Sequence, residues 1–410
     1  MGGRALITRS RNELLSALQK LTAVRFNQEL GEYSRMEDQE FREIAHSGGR
    51  VTIQVLTRED GQRVYSNGWS HSRPTGGAIF AVHVIQPGIP VGTAVLGGMG
   101  SPIDPGPIPG CFMVFVASDS EMMFGQQCPR CNGYWRSRAP SCFCPYCDLH
   151  GENHAFLTSA QGAYIQQYSA LMAQALDAPD GDHVIDLDAV ADAVSSLEKP
   201  PFYYSEERQQ NKFMCDECGN IADILGRFGY CSLCGTRNDI QELEKKTLAA
   251  IRQRINTSGE FESCVRDAVA AFDSLAGVYV RELLRIVPVT KSRKNRLSNS
   301  RFHNLAQVQT ELANTFDIDI FSNLERDDQA FSILMFHRRH VYEHNGGEVD
   351  QQYIDQSGDR SVRIKQSLRE SQDTAHRIVN AVAKMAKNLH AGFHELCPVE
   401  DRFIKLHKRR

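Results

Sequence analysis

The spacing of apolar residues predicts an N-terminal α+β domain over residues 1–125. Residues 12–30 carry apolar side chains at helical spacing. Residues 51–56 then alternate between apolar and polar, which is typical of a half-buried strand, and residues 78–85 and 111–117 are rich in strand-forming side chains. We expect these segments to form one small α+β domain, for which the sequence suggests no role.

From residue 239 onward the pattern predicts helices and no strands. Five segments of this part have apolar side chains at helical spacing, and a further helix is predicted over residues 159–176. We therefore expect a C-terminal all-α domain over residues 239–410. Its predicted helices are residues 240–255, 261–286, 304–316, 328–343 and 362–389.

Composition narrows the class of protein. At about 100–200 residues per domain, a chain of 410 residues should hold several domains. The net charge of −4 gives no overall basic field, so any site for nucleic acid must be local. The N-terminus lacks a continuous apolar segment, and residues 78–96 are interrupted by prolines and glycines. We expect a cytoplasmic protein that has no membrane partner.

Eight of the twelve cysteines form four C-x-x-C pairs, which predict two zinc ribbons. The pairs are separated by twelve residues in both clusters, over residues 126–152 and 211–238, with a helical connector over residues 153–210 between them. The predicted ligands are Cys128, Cys131, Cys144 and Cys147 in the first ribbon and Cys215, Cys218, Cys231 and Cys234 in the second.

Four thiolates on two facing turns form the closed tetrahedral shell of structural zinc, so two Zn²⁺ ions are the expected cofactors and no catalytic metal is expected. Cys142 competes with Cys144 for the first site, but Cys144 restores both the C-x-x-C pair and the spacer. Redox-active pairs are the alternative, although these would need one pair and not two facing ones.

Two local groups of cations are candidate nucleic-acid contacts. The first ribbon carries Arg136 and Arg138 beside Trp135, and an aromatic ring among cations can stack on a base and bind phosphate. The second group, in a predicted Ser/Asn-rich loop, can neutralise phosphates. Solvated loops are the alternative in both cases. The second group comprises Lys291, Arg293, Lys294 and Arg296.

The residues that precede Asn345 form the most informative stretch. His337, His340 and His344 are three and four apart, so they share one face of a predicted helix that stops at Asn345-Gly-Gly. A polar stripe at a helix end is the simplest interpretation, since cations suit that end of the helix dipole. His340-Val-Tyr-Glu-His344 also matches the H-x-x-E-H pattern of inverted zinc proteases, but no downstream glutamate stands in a recognisable third-ligand context.

Arg339-His340-x3-His344, followed by Asn345 and Gly346, resembles the R-x4-6-H motif of HEPN-domain proteins. The resemblance covers residues 240–395, which are predicted to be helical as that fold requires. It implies that the C-terminal helices form a HEPN-like helical bundle, so the expected fold class is a multidomain α+β protein that ends in this bundle. It also implies a homodimer with a composite cleft, in which Arg339 binds phosphate, His344 is the principal acid/base, and His340 and Asn345 assist.

The expected function is metal-independent endoribonuclease activity on RNA, because histidine transfers protons near neutral pH and arginine stabilises phosphate charge. By resemblance, a role as a toxin or antiviral effector follows. A regulatory protein partner is a further expectation. The alternative is a non-catalytic adaptor that dimerises through the helical domain and binds nucleic acid or protein through its ribbons.

Overall fold

A computed structural model describes most of the chain outside its first 39 residues, so the helix predicted over residues 12–30 lies outside the described part. The described residues are 40–41, 49–70, 79–85, 88–95, 110–119, 121–194, 205–298, 302 and 304–409.

The described strands lie between residues 40 and 224 and form four small sheets. Their orders are β1-β10, β3-β2-β9, β5-β4-β6 and β11-β12-β8-β7, and every pairing is antiparallel except that of β1 with β10. The strands are β1 Glu40–Phe41, β2 Arg50–Thr57, β3 Arg63–Ser70, β4 Ile79–Ile85, β5 Ile89–Val95, β6 Phe112–Ala117, β7 Phe124–Gln127, β8 Tyr134–Ser137, β9 Gly181–Asp186, β10 Ser205–Glu206, β11 Asn211–Met214 and β12 Ile221–Ile224.

The helices dominate the second half. A 3₁₀ turn covers Asn153–Phe156, and Leu243–Leu248 is a π-helical segment. The α-helices are α1 Ser159–Asp177, α2 Leu187–Asp192, α3 Asp239–Glu242, α4 Ala249–Thr257, α5 Phe261–Ile286, α6 Lys291–Ser298, α7 Leu305–Phe316, α8 Arg326–His344, α9 Gln351–Ser357, α10 Gln372–Leu396 and α11 Asp401–Lys408.

Helix α1 packs against two of the sheets and builds the N-terminal core. It begins at a capping box, in which Thr158 Oγ1 accepts from the Gln161 backbone N–H and the Gln161 side chain accepts in return. Tyr164, Ile165 and Tyr168 face buried valines of β2, β4 and β6. The predicted helical connector over residues 153–210 contains α1, which lies in this core, and β9, which pairs with β2.

The two ribbons share one sheet. Strand β8 of the first ribbon pairs with β12 of the second, which places Ser137 opposite Ala222 and Arg136 opposite Asp223. Gly235 of the second ribbon also packs on Phe143 of the first. The ribbons were predicted as separate units, but this pairing joins them into one body.

The helical domain is built on α5 and α10, which pack along each other. Their buried faces include Phe272 and Tyr279 on α5 and Val382 and Phe393 on α10. Helix α10 begins after a capping box at Ser371, so residues 362–371 are not helical, contrary to the prediction.

The C-terminal helix fastens the second ribbon to the helical domain. Phe403 and Ile404 of α11 pack on the second cysteine cluster, and the Glu400 N–H donates to the Cys234 carbonyl. On the first ribbon, Arg285 of α5 donates to the Cys147 carbonyl at 3.0 Å and pairs with Asp148. Among the described helices, none is both long and apolar enough to cross a membrane.

Candidate functional site

The structure brings the eight predicted cysteines together as two groups of four. Within each group the Sγ atoms all lie within 4.8 Å of one another, so each group can hold a metal ion. Cys144, and not Cys142, completes the first group, as the repeated spacer predicted. The Cys142 thiol instead donates to Asn153 at 3.2 Å.

All four knuckles have the same backbone geometry. The residue that follows the second cysteine of each pair donates its N–H to the carbonyl of the first cysteine, at 2.8–3.2 Å. That residue has a left-handed backbone at every knuckle, a conformation favoured by glycine and tolerated by Asn and Asp. The four residues are Asn132, Asp148, Gly219 and Gly235.

The sulfur separations fit zinc. A tetrahedral shell with Zn–S bonds of about 2.3 Å has S···S edges of about 3.8 Å. The Cys128–Cys147 and Cys131–Cys144 separations are both 3.6 Å, and Cys218–Cys231 is 3.5 Å. Such a shell has no free position for substrate, so these groups have the chemistry of structural sites.

The two clusters differ in exposure. All four cysteines of the second are buried, whereas Cys131 of the first is exposed and Cys147 is half-buried. Burial raises the pKa of Cys147, but the Leu149 N–H and the Arg130 guanidinium outweigh it, and the pKa falls to about 7. The first cluster is therefore the one that solvent and small molecules reach.

Arg136 does not lie on the surface. Its side chain is 1% exposed and pairs with Asp119 at 3.1 Å, with Asp223 at 2.7 Å and with Glu121 at 2.9 Å. Trp135 beside it is fully buried. The prediction that Arg136 contacts nucleic acid is corrected: its guanidinium is committed to three carboxylates, and the neighbouring ring cannot stack on a base.

The other predicted nucleic-acid contacts are exposed. Arg138 is on the surface, as are the four cations near residue 291. Those four lie on a short helix, α6, and not in a loop, because Leu297 anchors this segment in the helical core. Arg296 pairs with Glu311 at 3.5 Å.

Helix α8 carries the candidate catalytic residues on its last turn. Its first turn bears Asp327 and Asp328, which suit the positive end of the helix dipole. It ends at His344, as the Asn345-Gly-Gly stop predicted, and Gly346 and Gly347 have left-handed backbones that reverse the chain.

The structure places two of the predicted histidines in contact. The ring centroids of His340 and His344 lie 4.6 Å apart. Burial lowers the pKa of His340, with further lowering by His344 and Arg339 that outweighs the nearby carboxylates. His340 is therefore neutral at pH 7, the state that a general base requires.

Arg339 lies beside this pair but is mostly buried, with 13% of its side chain exposed. It pairs with Glu343 one turn later at 2.6 Å. Its Nε–H has no acceptor among the described residues. The side-chain amide of Asn345 is directed to a carboxylate and not to the histidines: it donates to Asp350 at 2.6 Å.

Arg338 is a structural residue that the sequence analysis missed. It reaches Glu370 and Asp359, both at 3.0 Å, and it donates to the Tyr353 hydroxyl. Tyr342 donates to the same Glu370. Arg338 lies three residues after the buried Met335, so helical spacing could have assigned it to the apolar face.

A second buried polar cluster joins the second ribbon to the bundle. Tyr279 and His390 Nδ1 are 2.6 Å apart, and His394 Nε2 accepts from the Arg237 backbone N–H at 3.2 Å. Burial lowers the pKa of His390 to about 3, with help from His394 and Arg237. Both histidines are neutral packing residues, which is the usual state of buried histidine.

No described group of three or more His, Cys, Asp or Glu side chains other than the two cysteine clusters could hold a metal ion. The inverted-protease pattern at His340 therefore gains no third ligand within the described part of the chain.

No protein-family model matches the chain, and neither a curated protein nor a solved structure is significantly similar to it. The residues of the chain alone carry the resemblance to HEPN proteins.

Proposed function

We propose that the protein is a metal-independent endoribonuclease of HEPN type, with two structural zinc ions and a catalytic site at the end of α8. The observation that carries this proposal is the grouping on one helical turn of Arg339 with His340 and His344, whose rings are 4.6 Å apart. The resemblance adds a role as a toxin or antiviral effector, and the sequence pattern adds a cytoplasmic location.

The chemistry uses only protein groups. A neutral histidine removes the proton of a 2′-hydroxyl, whose oxygen attacks the adjacent phosphorus, and a protonated histidine delivers a proton to the departing 5′-oxygen. The products are a 2′,3′-cyclic phosphate and a 5′-hydroxyl. In this proposal His340 acts as the general base and His344 as the general acid. The Arg339 guanidinium neutralises charge on the phosphorane.

The distance between the histidines favours a dimer. Attacking and leaving oxygens lie on opposite sides of the phosphorus, and each must be within about 2.6–3.2 Å of its proton-transfer group. Two rings in van der Waals contact cannot sit on both sides of one phosphate. A second copy that faces the first would supply the opposite group, so we propose a homodimer with a composite cleft.

RNA cleavage in excess EDTA tests this function. Purified protein is incubated with total RNA beside an Arg339→Ala/His344→Ala variant, and folding is checked in parallel by circular dichroism because EDTA can remove zinc. Cleavage to cyclic-phosphate ends that is lost in the variant supports the nuclease. No cleavage, or equal cleavage by the variant, contradicts it.

One observation favours the adaptor as a second candidate. Arg339 is already paired with Glu343 at 2.6 Å, so a phosphate would have to compete with this carboxylate for the guanidinium. In an adaptor His344→Ala leaves binding of nucleic acid or protein unchanged, whereas a change at the exposed Arg138 weakens it. Glu343→Gln separates the two further, since freeing Arg339 should speed RNA cleavage by a nuclease and should do nothing in an adaptor.

A further inference from the structure

The segment between Asp359 and Glu370 is strongly basic. Residues 360–369 contain four cations and no carboxylate, and all four cations are exposed. We call these four residues, Arg360, Arg363, Lys365 and Arg369, the basic strip. Of the four, only Arg369 has an ion pair among the described residues, at 3.7 Å from Glu262 and with 82% of its side chain exposed.

The basic strip borders the candidate catalytic turn. The Lys365 N–H donates to the Val349 carbonyl at 2.7 Å, and the Leu368 N–H donates to the Gly347 carbonyl at 2.9 Å. Glu348 and Ser367 form an antiparallel bridge. These bonds attach the strip to the turn that directly follows His344.

Buried ion pairs hold both ends of the strip in place. Arg338 pairs with Asp359 before the strip and with Glu370 after it, each at 3.0 Å. Burial raises the pKa of Asp359, but hydrogen bonds from Ser361 and Tyr353 outweigh it, and the pKa falls to about 2. Because Arg338 precedes Arg339 directly, one helical turn orients both the basic strip and the candidate phosphate ligand.

A pocket of about 600 Å³ opens along the strip. Ile354 and Val362 give it apolar walls, and the exposed Ile364 also lines it. Arg360 and Arg363 line it and have no ion-pair partner among the described residues, and Asp359, which also lines it, is paired with Arg338. An apolar wall beside guanidinium groups suits a nucleobase and its phosphate, since bases stack on flat surfaces and arginine binds phosphate with two donors.

We propose that the basic strip and its pocket bind single-stranded RNA, with one base in the pocket and the adjacent phosphates on Arg360 and Arg363. This site rests on the proposed function, for which it would lead the strand to the end of α8. The strip gives a protein of net negative charge the local positive site that a polyanion requires.

The test is binding of a short fluorescent single-stranded RNA, measured by anisotropy over a range of salt concentrations. The protein carries His344→Ala so that no strand is cut. Arg360→Gln/Arg363→Gln should raise Kd about tenfold or more. It should also reduce the slope of log K against log salt by about 1.4, which is about 0.7 for each lost phosphate contact on a single strand.

A matched control is Arg326→Gln/Lys384→Gln, which removes two exposed cations that have no ion pair among the described residues. Arg326 begins α8, about 27 Å from its other end at a rise of 1.5 Å per residue. This control should leave Kd and the salt slope unchanged. An equal loss in both double variants, or no loss in either, overturns the proposal.

A separate experiment tests whether the pocket binds a base. Ile364→Ser keeps the charge and should weaken binding of RNA but not of an abasic strand of equal length. Wild-type protein that binds both strands equally would overturn the pocket assignment. If wild-type protein cuts no RNA but binds it through Arg360 and Arg363, the RNA-binding site is supported and the proposed nuclease activity is rejected. If wild-type protein cuts RNA and the Arg360→Gln/Arg363→Gln variant cuts it equally well, the nuclease activity is supported and the RNA-binding site is rejected.

Discussion

Replacing Arg136 with alanine should strongly destabilise the protein without involving any ligand. The change removes the guanidinium that pairs with two buried carboxylates, Asp119 and Asp223, whose side chains are 0% and 3% exposed. Protonating a carboxyl of ordinary pKa ~3.9 at pH 7 costs about 4 kcal/mol, and this is the ceiling for each group. Asp119 keeps backbone donors from Glu121 and Met123, and Asp223 keeps one from Gln209. We therefore expect a total loss of about 3–5 kcal/mol, as for other broken buried pairs.

Urea unfolding at a fixed zinc concentration measures this loss, followed by circular dichroism and by tryptophan fluorescence, to which the buried Trp135 contributes. Arg138→Ala is the matched control two residues away, and this exposed change should cost less than about 0.5 kcal/mol. The carboxyls left without their guanidinium in the Arg136→Ala variant have raised pKa values in the folded state. The stability that the variant loses relative to wild type should therefore shrink as pH falls from 7.5 to 6. A loss below about 0.5 kcal/mol, or one that grows at lower pH, would refute the buried ion network.

Three further predictions address the proposed zinc sites and the packing around them. Cys231→Ser should reduce the bound zinc from two ions to one, measured by atomic absorption, whereas Cys142→Ser should retain both. Because the folded pKa of His390 is about 3, the protein should lose about 2 kcal/mol of stability between pH 6.5 and pH 5, where the unfolded chain binds the extra proton. His390→Gln should remove that part of the urea-monitored pH dependence, and an unchanged pH profile would contradict the burial. Gly235→Ala places a Cβ 2.9 Å from Phe143, whereas Gly226→Ala meets open space at a similar φ, so the first should cost about 1–2 kcal/mol more in thermal or urea unfolding.

The features that local sequence determines were predicted well. The repeated C-x-x-C spacing selected Cys144 over Cys142, because a knuckle is a five-residue structure whose geometry depends on its own backbone. The stop at Asn345-Gly-Gly placed the end of α8 correctly for the same reason, since a left-handed turn after a helix is a local property.

The failures involve partners that are distant in sequence. Arg136 looked like a surface cation, but its partner Asp223 is 87 residues away and only the shared ribbon sheet brings them together. The pairing of β8 with β12 is itself non-local, so the ribbons could not be recognised as one body. Residues 362–371 have helical apolar spacing, yet their backbone bonds to residues 347–349 override it.

Cleavage of a defined RNA oligonucleotide beside its 2′-O-methyl counterpart, both in excess EDTA, decides whether the α8 turn is a nuclease site. Attack by a 2′-oxygen predicts that wild-type protein cuts the RNA to 2′,3′-cyclic-phosphate ends and leaves the methylated strand intact, while His344→Ala cuts neither. Cleavage of both strands, or of neither, would contradict the proposed chemistry.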